Sequence, residues 1–477
     1  MKKLCLLLWS FVIEFLPVTA YAQTGTRMEL DSVLCLGLPV VEVVTVDSIE
    51  PTAEQAEKPE GTSGQSVVNA TKVPGRLRIW SPAGETVYDS GEFEAGQSGM
   101  TIKIRGNNSA LQKLKPYKVK LQKKADLLRR GDEARFKDRN WLLLKEYRQS
   151  LNIPIGFRVS TLVGMPWTPA CKEVNLLMNG LYRGIYLLTE QVSRNPRCRI
   201  NVDEDTGFIV ERDIYWWVAP LWFETGMVQG NWMKYTLKYP NEDEVTEERI
   251  EDIRRQMNGM EAGIRADDYE GVLDVRSFAA WLLVHDLLGT SDGGGSNRFM
   301  AKYDNTEETK VFMPCVWDFD TNFRMDSVWS ALHDYQGSYH YNLFASRNKA
   351  FAKAYVQLWQ AVSPLVVEEM ETWLDSLLRS EESRALDVSR RMERQCGFYP
   401  YVSVEKNVEV ARDWFRQRKQ WMDEHIAEVD TVDGRNAIEQ IRILESVNRQ
   451  SFDLSGRRLS APPAKGLYIE NGKVKGR

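Results

Sequence analysis

The chain is poor in the side chains that bind transition metals. Its 477 residues include four histidines and six cysteines, and no two cysteines have the Cys-x-x-Cys spacing of a zinc site. The histidines are scattered along the sequence, which is more typical of packed or surface residues than of metal ligands. A zinc centre is therefore not expected.

Long apolar runs and an excess of charge of one sign are also missing. Beyond the N-terminus no segment approaches the ~20 consecutive apolar residues that span a membrane as a helix, so we expect no transmembrane span. The 62 Lys and Arg residues nearly balance the 67 Asp and Glu residues, and the net charge is −5. This balance gives no general reason to expect nucleic acid as a partner.

The N-terminus has the pattern of a secretory signal peptide. Lys2 and Lys3 precede an apolar run at residues 4–13, and residues 20–22 form a small-x-small cleavage site. We therefore expect residues 1–22 to be a signal peptide and the protein to be exported to the periplasm, the cell surface or the extracellular space. A buried first helix is the alternative. Cleavage would leave five cysteines, an odd number that argues against a full disulfide framework.

Strand patterns dominate the first half of the chain and helix patterns the second. Short β-branched or alternating runs predict strands at residues 38–46, 76–80, 86–88, 100–105, 116–121, 173–178 and 184–189. Apolar periodicity predicts helices from residue 246, at residues 274–288 and through residues 342–428. Residues 49–74 are rich in Glu, Pro, Gly, Ser and Thr and lack periodicity, which predicts an exposed, disordered insertion. Residues 431–477 are predicted to be a linker and a short β tail.

Two aspartates close together indicate a site for a hard metal ion. The sequence WDFD at residues 317–320 reads as a strand that places Asp318 and Asp320 on the same side. Two carboxylates this close repel each other unless a cation lies between them. An exposed acidic strand end is one alternative. A calcium loop is another, but Phe323 stands where such a loop needs glycine.

Asp292 and Asn297 lie five residues apart in SDGGGSN at residues 291–297, directly after the predicted helix 274–288. Phosphoryl transfer requires a carboxylate that accepts the proton of the attacking hydroxyl, and an Asn and a later Asp that hold the metal ion. Protein kinases have the same spacing between the first two of these residues. Asp before glycines typically only forms a turn, but the order Asp292, Asn297, Asp318 predicts phosphoryl-transfer chemistry.

Basic residues cluster around the turn RGNNS at residues 105–109. Arg105 opens the turn, and alternation places Lys118 and Lys120 on one face of the next predicted strand. Backbone N–H groups in such a turn can cradle phosphates, and a strand lysine can pair with them. A charged, solvated sheet edge is the alternative.

Taken in order, these segments resemble the CotH kinase family, which are spore-coat-type secreted kinases. The matching stretches lie within residues 36–430, at residues 102–109, 115–121, 138–144, 178–190, 238–240, 292–297 and 316–320. The resemblance implies an α+β protein with an atypical protein-kinase-like fold. Such a fold has an N-terminal β-rich lobe and a largely helical C-terminal lobe, here followed by the small β-rich C-terminal tail.

The resemblance also implies an activity and the residues for it. The implied activity is ATP-dependent phosphorylation of Ser or Thr on secreted or surface proteins, with Mg²⁺ or Mn²⁺. By position, Asp292 matches the catalytic Asp. Asn297 and Asp318 match metal-binding positions, and Asp320 is a neighbouring candidate.

The nucleotide site follows from the same resemblance. Arg105 and either Lys118 or Lys120 would meet the phosphates, and spacing does not separate the two lysines. Glu190 and Val192 would lie at the adenine site. We expect a monomer. A catalytically silent family member that acts as a surface binding or adhesion module is the second hypothesis, and the presence of Asp292, Asn297 and Asp318 favours the kinase.

Overall fold

The computed structural model describes residues 25–62, 64–131, 133–228, 231–290, 296–323 and 339–431, and four short strands of the tail. The predicted signal peptide and Asp292, the predicted catalytic residue, lie outside the described residues.

Strands and three short helices make up the chain as far as residue 190. The strands are β1 (Thr26–Arg27), β2 (Val40–Thr45), β3 (Glu54–Gln55), β4 (Val67–Val68), β5 (Val73–Trp80), β6 (Thr86–Asp89), β7 (Met100–Ile104), β8 (Tyr117–Ala125), β9 (Asp138–Leu144), β10 (Cys171–Met178) and β11 (Leu181–Glu190). The helices are α1 (Leu30–Leu34), α2 (Glu133–Phe136) and α3 (Asn152–Val163).

Seven of these strands close into a barrel. Hydrogen-bonded neighbours follow the order β11, β10, β2, β5, β7, β8 and β9, and β9 pairs again with β11, where Leu144 lies opposite Leu187. Alternate residues of each strand point inwards, and apolar side chains such as Val119, Trp141 and Tyr186 fill the interior. Closure leaves these seven strands without a free edge.

A second sheet and long helices form the rest of the described chain. The strands β12 (Phe208–Arg212), β13 (Trp222–Val228), β14 (Asn231–Tyr239) and β15 (Arg298–Lys302) pair antiparallel in the order β13, β14, β12, β15. The helices are α4 (Glu247–Arg265), α5 (Val275–Leu288), α6 (Tyr339–Ala345), α7 (Ala350–Arg379), α8 (Glu381–Gln395) and α9 (Val404–His425). None of the described helices is both long and apolar enough to cross a membrane.

Helix α5 is the centre of the larger apolar core. The Asp274 side chain caps its first turn by accepting the Ser277 N–H, and Gly289 ends it in a left-handed conformation. Every residue of α5 from Ser277 to Leu288 is buried, because α3, α7 and α9 pack around it. The buried helix therefore fixes the position of the chain as far as residue 288, four residues before Asp292.

The tail contains the short strands β16 (Ser451–Phe452), β17 (Arg458–Leu459), β18 (Leu467–Glu470) and β19 (Lys473–Gly476). They form a sheet in the order β17, β16, β18, β19. These strands lie within residues 431–477, for which the sequence predicts a linker and a short β tail.

The predicted kinase-like architecture of two lobes is wrong. The β-rich part is a closed seven-stranded barrel, and the chain that follows it contains the sheet β12–β15 instead of forming a largely helical lobe. Each of the seven strands predicted between residues 38 and 189 overlaps an observed strand, because alternation is a local signal. Barrel closure depends on the pairing of β9 with β11, which lie about 40 residues apart, and no local pattern shows such a pairing.

Residues 49–74, whose composition predicts disorder, include the paired strands β3 and β4. The Ser66 hydroxyl donates a hydrogen bond to Asn107 Oδ1 at 2.7 Å. The backbone N–H of Gln65 donates to Asn108 Oδ1 at 3.0 Å. This segment therefore contacts the turn that follows β7.

Candidate active site

A cavity of about 220 Å³, here called the cleft, lies between one end of the barrel and the second sheet. Antiparallel pairing brings the end of β7, the start of β8 and the end of β9 to this end of the barrel. The opposite wall comes from the chain after β12, the residues just before β15 and the segment 317–320. Polar residues from both walls line the cleft, among them Arg105, Asn108, Tyr215, Asn297, Asp318 and Asp320.

Asn297 and Asp318, two of the three predicted metal-binding residues, meet in the cleft. The Asn297 amide Nδ2 donates a hydrogen bond to Asp318 Oδ2 at 3.1 Å. Both residues have left-handed backbones, with φ of 65° and 70°. A residue other than glycine accepts this conformation at a cost of about 1 kcal/mol, so surrounding contacts must hold it.

The segment 317–320 is not a strand, contrary to the sequence prediction. The left-handed backbone at Asp318 interrupts the alternation that the prediction assumed. Asp318 and Asp320 nevertheless both line the cleft. Backbone geometry of this kind depends on the surrounding fold and is not apparent in the motif WDFD.

Asp320 presents a carboxylate oxygen that lacks a protein partner among the described residues. Its backbone carbonyl accepts hydrogen bonds from Arg148 Nη1 at 3.1 Å and Asn152 Nδ2 at 3.3 Å. Its Oδ1 atom is buried and has no described hydrogen-bond partner. Leaving such a group unsatisfied costs roughly 1–3 kcal/mol or more, which a cation bound in the cleft would offset.

The oxygen donors of the cleft fit a hard divalent cation. Mg²⁺ and Mn²⁺ take carboxylate and amide oxygens together with water and phosphate oxygens, and do not require a complete protein cage. Within the described ranges no group of three or more His, Cys, Asp or Glu residues forms a cage. A metal ion here would therefore share its coordination between Asp318, Asp320, Asn297 and non-protein oxygens.

Arg105 supplies positive charge on the barrel wall. Its side chain makes no hydrogen bond or close ion pair with any residue in the described part of the chain, although Asp318 and Glu211 influence it electrostatically. Burial lowers the pKa of Arg105, and these two negative charges oppose the shift only in part. A half-buried guanidinium in this state favours an incoming anion such as a phosphate group.

Lys118 extends the positive charge along β8. It lies opposite Lys103 of β7, and burial lowers the pKa of Lys118 to about 8, with nearby positive charges, including Lys103, Lys120 and Arg105, adding to the effect. Lys120, by contrast, is exposed. Neither lysine lines the cleft, but burial and the interaction with Arg105 make Lys118 the better placed of the two for a phosphate.

Glu190 and Val192 do not line the cleft. Glu190 Oε2 accepts the Ala170 N–H at 2.9 Å, and its Oε1 lies 3.0 Å from Arg130 Nη1. Val192 is buried in the larger apolar core. The structure therefore does not bring these two predicted adenine-site residues to Asn297 and Asp318.

A family model described as CotH kinase protein matches residues 102–422, about two thirds of the chain. The chain belongs to the CotH kinase family. The matched range begins within β7 and ends in α9, so it contains every residue of the cleft named above. Membership of the CotH family suggests protein kinase activity and, for kinases generally, the use of ATP and a divalent metal ion. No curated protein matches the chain.

In this CotH protein, Glu211 and Lys238 also belong to the site, and the sequence did not reveal Glu211. Glu211 Oε1 accepts the backbone N–H of Asn297 at 2.9 Å, and its Oε2 lies 2.7 Å from Lys238 Nζ. Burial raises the pKa of Glu211, which Lys238 opposes in part. Burial alone would lower the pKa of Lys238, but the charges of Glu211 and Asp213 raise it above its usual value. The sequence signal for Glu211 is that it and Asp213 follow an apolar run. This pattern is common in strands, so it does not identify a functional residue.

A buried ion pair ties the cleft of this CotH protein to helix α8. Lys145 follows β9 and pairs with Glu393, and both side chains are at most 1% exposed. The Lys145 amine also donates to the carbonyl of Ile185 at 2.7 Å, and Gln149 Nε2 donates to Glu393 Oε2 at 2.8 Å. Burial lowers the pKa of Lys145 despite the nearby carboxylate. The pair fixes the barrel end against α8.

Proposed function

We propose that this protein is an exported CotH-type kinase that transfers the γ-phosphoryl group of ATP to Ser or Thr of secreted or surface proteins. The observation that carries the proposal is the 3.1 Å contact between Asn297 and Asp318 inside the cleft. Arg105 on the opposite wall adds the positive charge that phosphates require. The signal-peptide pattern of residues 1–22 supports export.

The residues divide the work of phosphoryl transfer between metal binding and phosphate binding. Asp318, Asp320 and Asn297 would hold Mg²⁺ or Mn²⁺, which when bound neutralises charge on the nucleotide phosphates. Arg105 and Lys118 would orient the phosphates from the barrel side. In phosphoryl transfer, positioning and charge stabilisation supply most of the rate enhancement.

Asp292 takes the role of proton acceptor in this proposal. Its position, five residues before Asn297, is the basis for the assignment. The carboxylate would accept the proton of the Ser or Thr hydroxyl as the oxygen attacks. The buried helix α5 ends four residues before Asp292, which gives the segment a fixed starting point.

Transfer of labelled phosphate tests the proposal. Purified protein is incubated with γ-labelled ATP, Mn²⁺ or Mg²⁺ and a Ser-rich acceptor protein. We expect Asp318→Ala to lower the rate by about 100-fold or more, since an electrostatic contact to the transition state is lost. Asp268→Ala, at an exposed carboxylate that makes no contact with the cleft, is the matched control and should retain wild-type activity.

Two results of the same assay would contradict the kinase. Equal labelling by wild type and Asp318→Ala would show that the label does not depend on the cleft. Absence of labelling by every protein, with either metal, would favour the silent binding module.

A further inference from the structure

Two acidic side chains at the end of β12 accept hydrogen bonds from the residues just before β15. Glu211 Oε1 accepts the backbone N–H of Asn297 at 2.9 Å. Asp213 Oδ1 accepts the Ser296 hydroxyl at 2.8 Å, and that hydroxyl oxygen accepts the backbone N–H of Ile214 at 3.1 Å. Side chains, in addition to sheet pairing, therefore fix residues 296–297, which directly follow the segment containing Asp292.

Both acidic side chains are themselves held by β14. Lys238 Nζ lies 2.7 Å from Glu211 Oε2, and the Thr236 hydroxyl donates to Asp213 Oδ2 at 3.3 Å. Glu211 and Asp213 are 8% and 9% exposed. Buried carboxylates bound through both oxygens have little freedom to move, so they can impose a position on the chain that they bind.

Asn297 requires such support because its backbone is left-handed, with φ of 65°. This conformation directs the Asn297 amide to Asp318. Without the Glu211 contact, the Asn297 backbone would lower its free energy by roughly 1 kcal/mol by adopting a common conformation. Its side-chain amide would then no longer reach Asp318. Outer groups that orient metal ligands commonly set metal affinity in this way.

We propose that Glu211, held by Lys238, and Asp213 are positioning residues for the metal ion of the cleft. They fix the backbone of residues 296–297 and so place the Asn297 side chain beside Asp318. The inference rests on the proposed function, since it concerns the metal ion that this function uses. Their effect is indirect and passes through Ser296 and Asn297.

Manganese affinity, measured by electron paramagnetic resonance, tests this role without relying on activity. The full-length protein is titrated with Mn²⁺ in the presence of a non-hydrolysable ATP analogue. We expect Glu211→Ala to raise the Kd for Mn²⁺ by about 10- to 100-fold. Glu211→Gln should raise the Kd less than Glu211→Ala, because its amide oxygen can still accept the Asn297 N–H although its amide nitrogen cannot accept from Lys238.

A matched control comes from the same sheet. Glu224 of β13 lies 2.6 Å from Lys234 of β14, a partly exposed ion pair that makes no contact with Asn297. Glu224→Ala should leave the Mn²⁺ Kd unchanged. Affinity for the metal-free analogue should be the same in all variants, since Glu211 acts on the metal ligand.

A second variant keeps the test decisive if Glu211→Ala does not fold. Ser296→Ala removes the hydroxyl that joins Asp213 and Ile214 and should raise the Mn²⁺ Kd by about 3- to 10-fold. Wild-type affinity in Ser296→Ala and in any folded Glu211→Ala would overturn the inference and leave the proposed function standing. Absence of Mn²⁺ binding by the wild type with the analogue present would overturn both.

Discussion

Lys118 does not line the cleft, but it interacts electrostatically with Arg105, which does, so the charge beside the cleft depends on pH. Burial lowers its pKa from 10.5 to about 8. The protonated amine is therefore less favourable in the folded state than in the unfolded state. The free energy of unfolding falls as pH falls from about 10.5 to about 8, because over this range the unfolded chain binds a proton at Lys118 that the folded chain does not bind. A bound phosphate reverses this effect because it favours the charged amine.

We expect the affinity for ATP to fall several-fold as pH rises from 7 to 9.5, since Lys118 loses its charge over this range. Isothermal titration calorimetry at fixed Mn²⁺ measures the change. Lys118→Arg should bind with little dependence on pH, because a guanidinium stays protonated. Lys120→Arg is the control and should behave as wild type. The same pH dependence in Lys118→Arg as in wild type would show that another group is responsible.

The buried pair Lys145 and Glu393 gives a prediction for stability. Glu393→Ala would leave the buried Lys145 amine without its counter-charge, so we expect a loss of about 3–5 kcal/mol in the free energy of unfolding. The double variant Lys145→Met with Glu393→Leu should lose far less, because no charge remains buried. Urea denaturation measures both. A double variant as unstable as Glu393→Ala would contradict this account of the pair.

At the scale of elements, α3 supports the acidic segment of the cleft through a close contact. A Cβ atom at Gly156 would lie 2.2 Å from the ring of Phe319, which stands between Asp318 and Asp320. Phe319 also packs edge-on against Phe157 at 5.7 Å between ring centroids. The helix therefore determines where the two carboxylates lie.

Gly156→Ala should displace Phe319 and its neighbours. Overpacking of this kind costs about 1–3 kcal/mol, and we expect weaker Mn²⁺ binding as well, because Asp318 and Asp320 move with the ring. Gly259→Ala in α4 is the matched control, since a Cβ there meets nothing within 4 Å. It should be neutral or stabilise by up to about 1 kcal/mol. Wild-type Mn²⁺ affinity in Gly156→Ala would show that the contact between α3 and Phe319 does not determine the position of the two carboxylates.

Local elements were predictable, and their arrangement was not. Alternation in β8 correctly separates the outward Lys118 and Lys120 from the inward Val119 and Leu121, because pleating is a property of neighbouring residues. The strands β12 to β15 lack so clear a pattern, and the second sheet was missed. Glu211 was missed with it, because its role comes from a contact with Asn297, 86 residues away.

At the scale of the whole molecule, the cleft exists because the barrel end meets the second sheet. Arg105 comes from the barrel, Asn297 from the approach to β15 and Asp318 from a later loop. In the sequence, only their order in a family pattern links these residues. In the fold they line one cavity. If the protein is the kinase proposed above, this single cleft binds ATP and a divalent ion together.

Thermal unfolding with and without ligands tests that claim most directly. A ligand that binds only the folded state raises the free energy of unfolding, by about 2.7 kcal/mol when its concentration is 100 times its Kd, and so raises the melting temperature. We predict that millimolar ATP with Mn²⁺ raises the melting temperature by several degrees, that ATP without metal does so less, and that Asp318→Ala abolishes the difference between them. No shift with ATP and Mn²⁺, or the same metal-dependent shift in Asp318→Ala, would contradict the account.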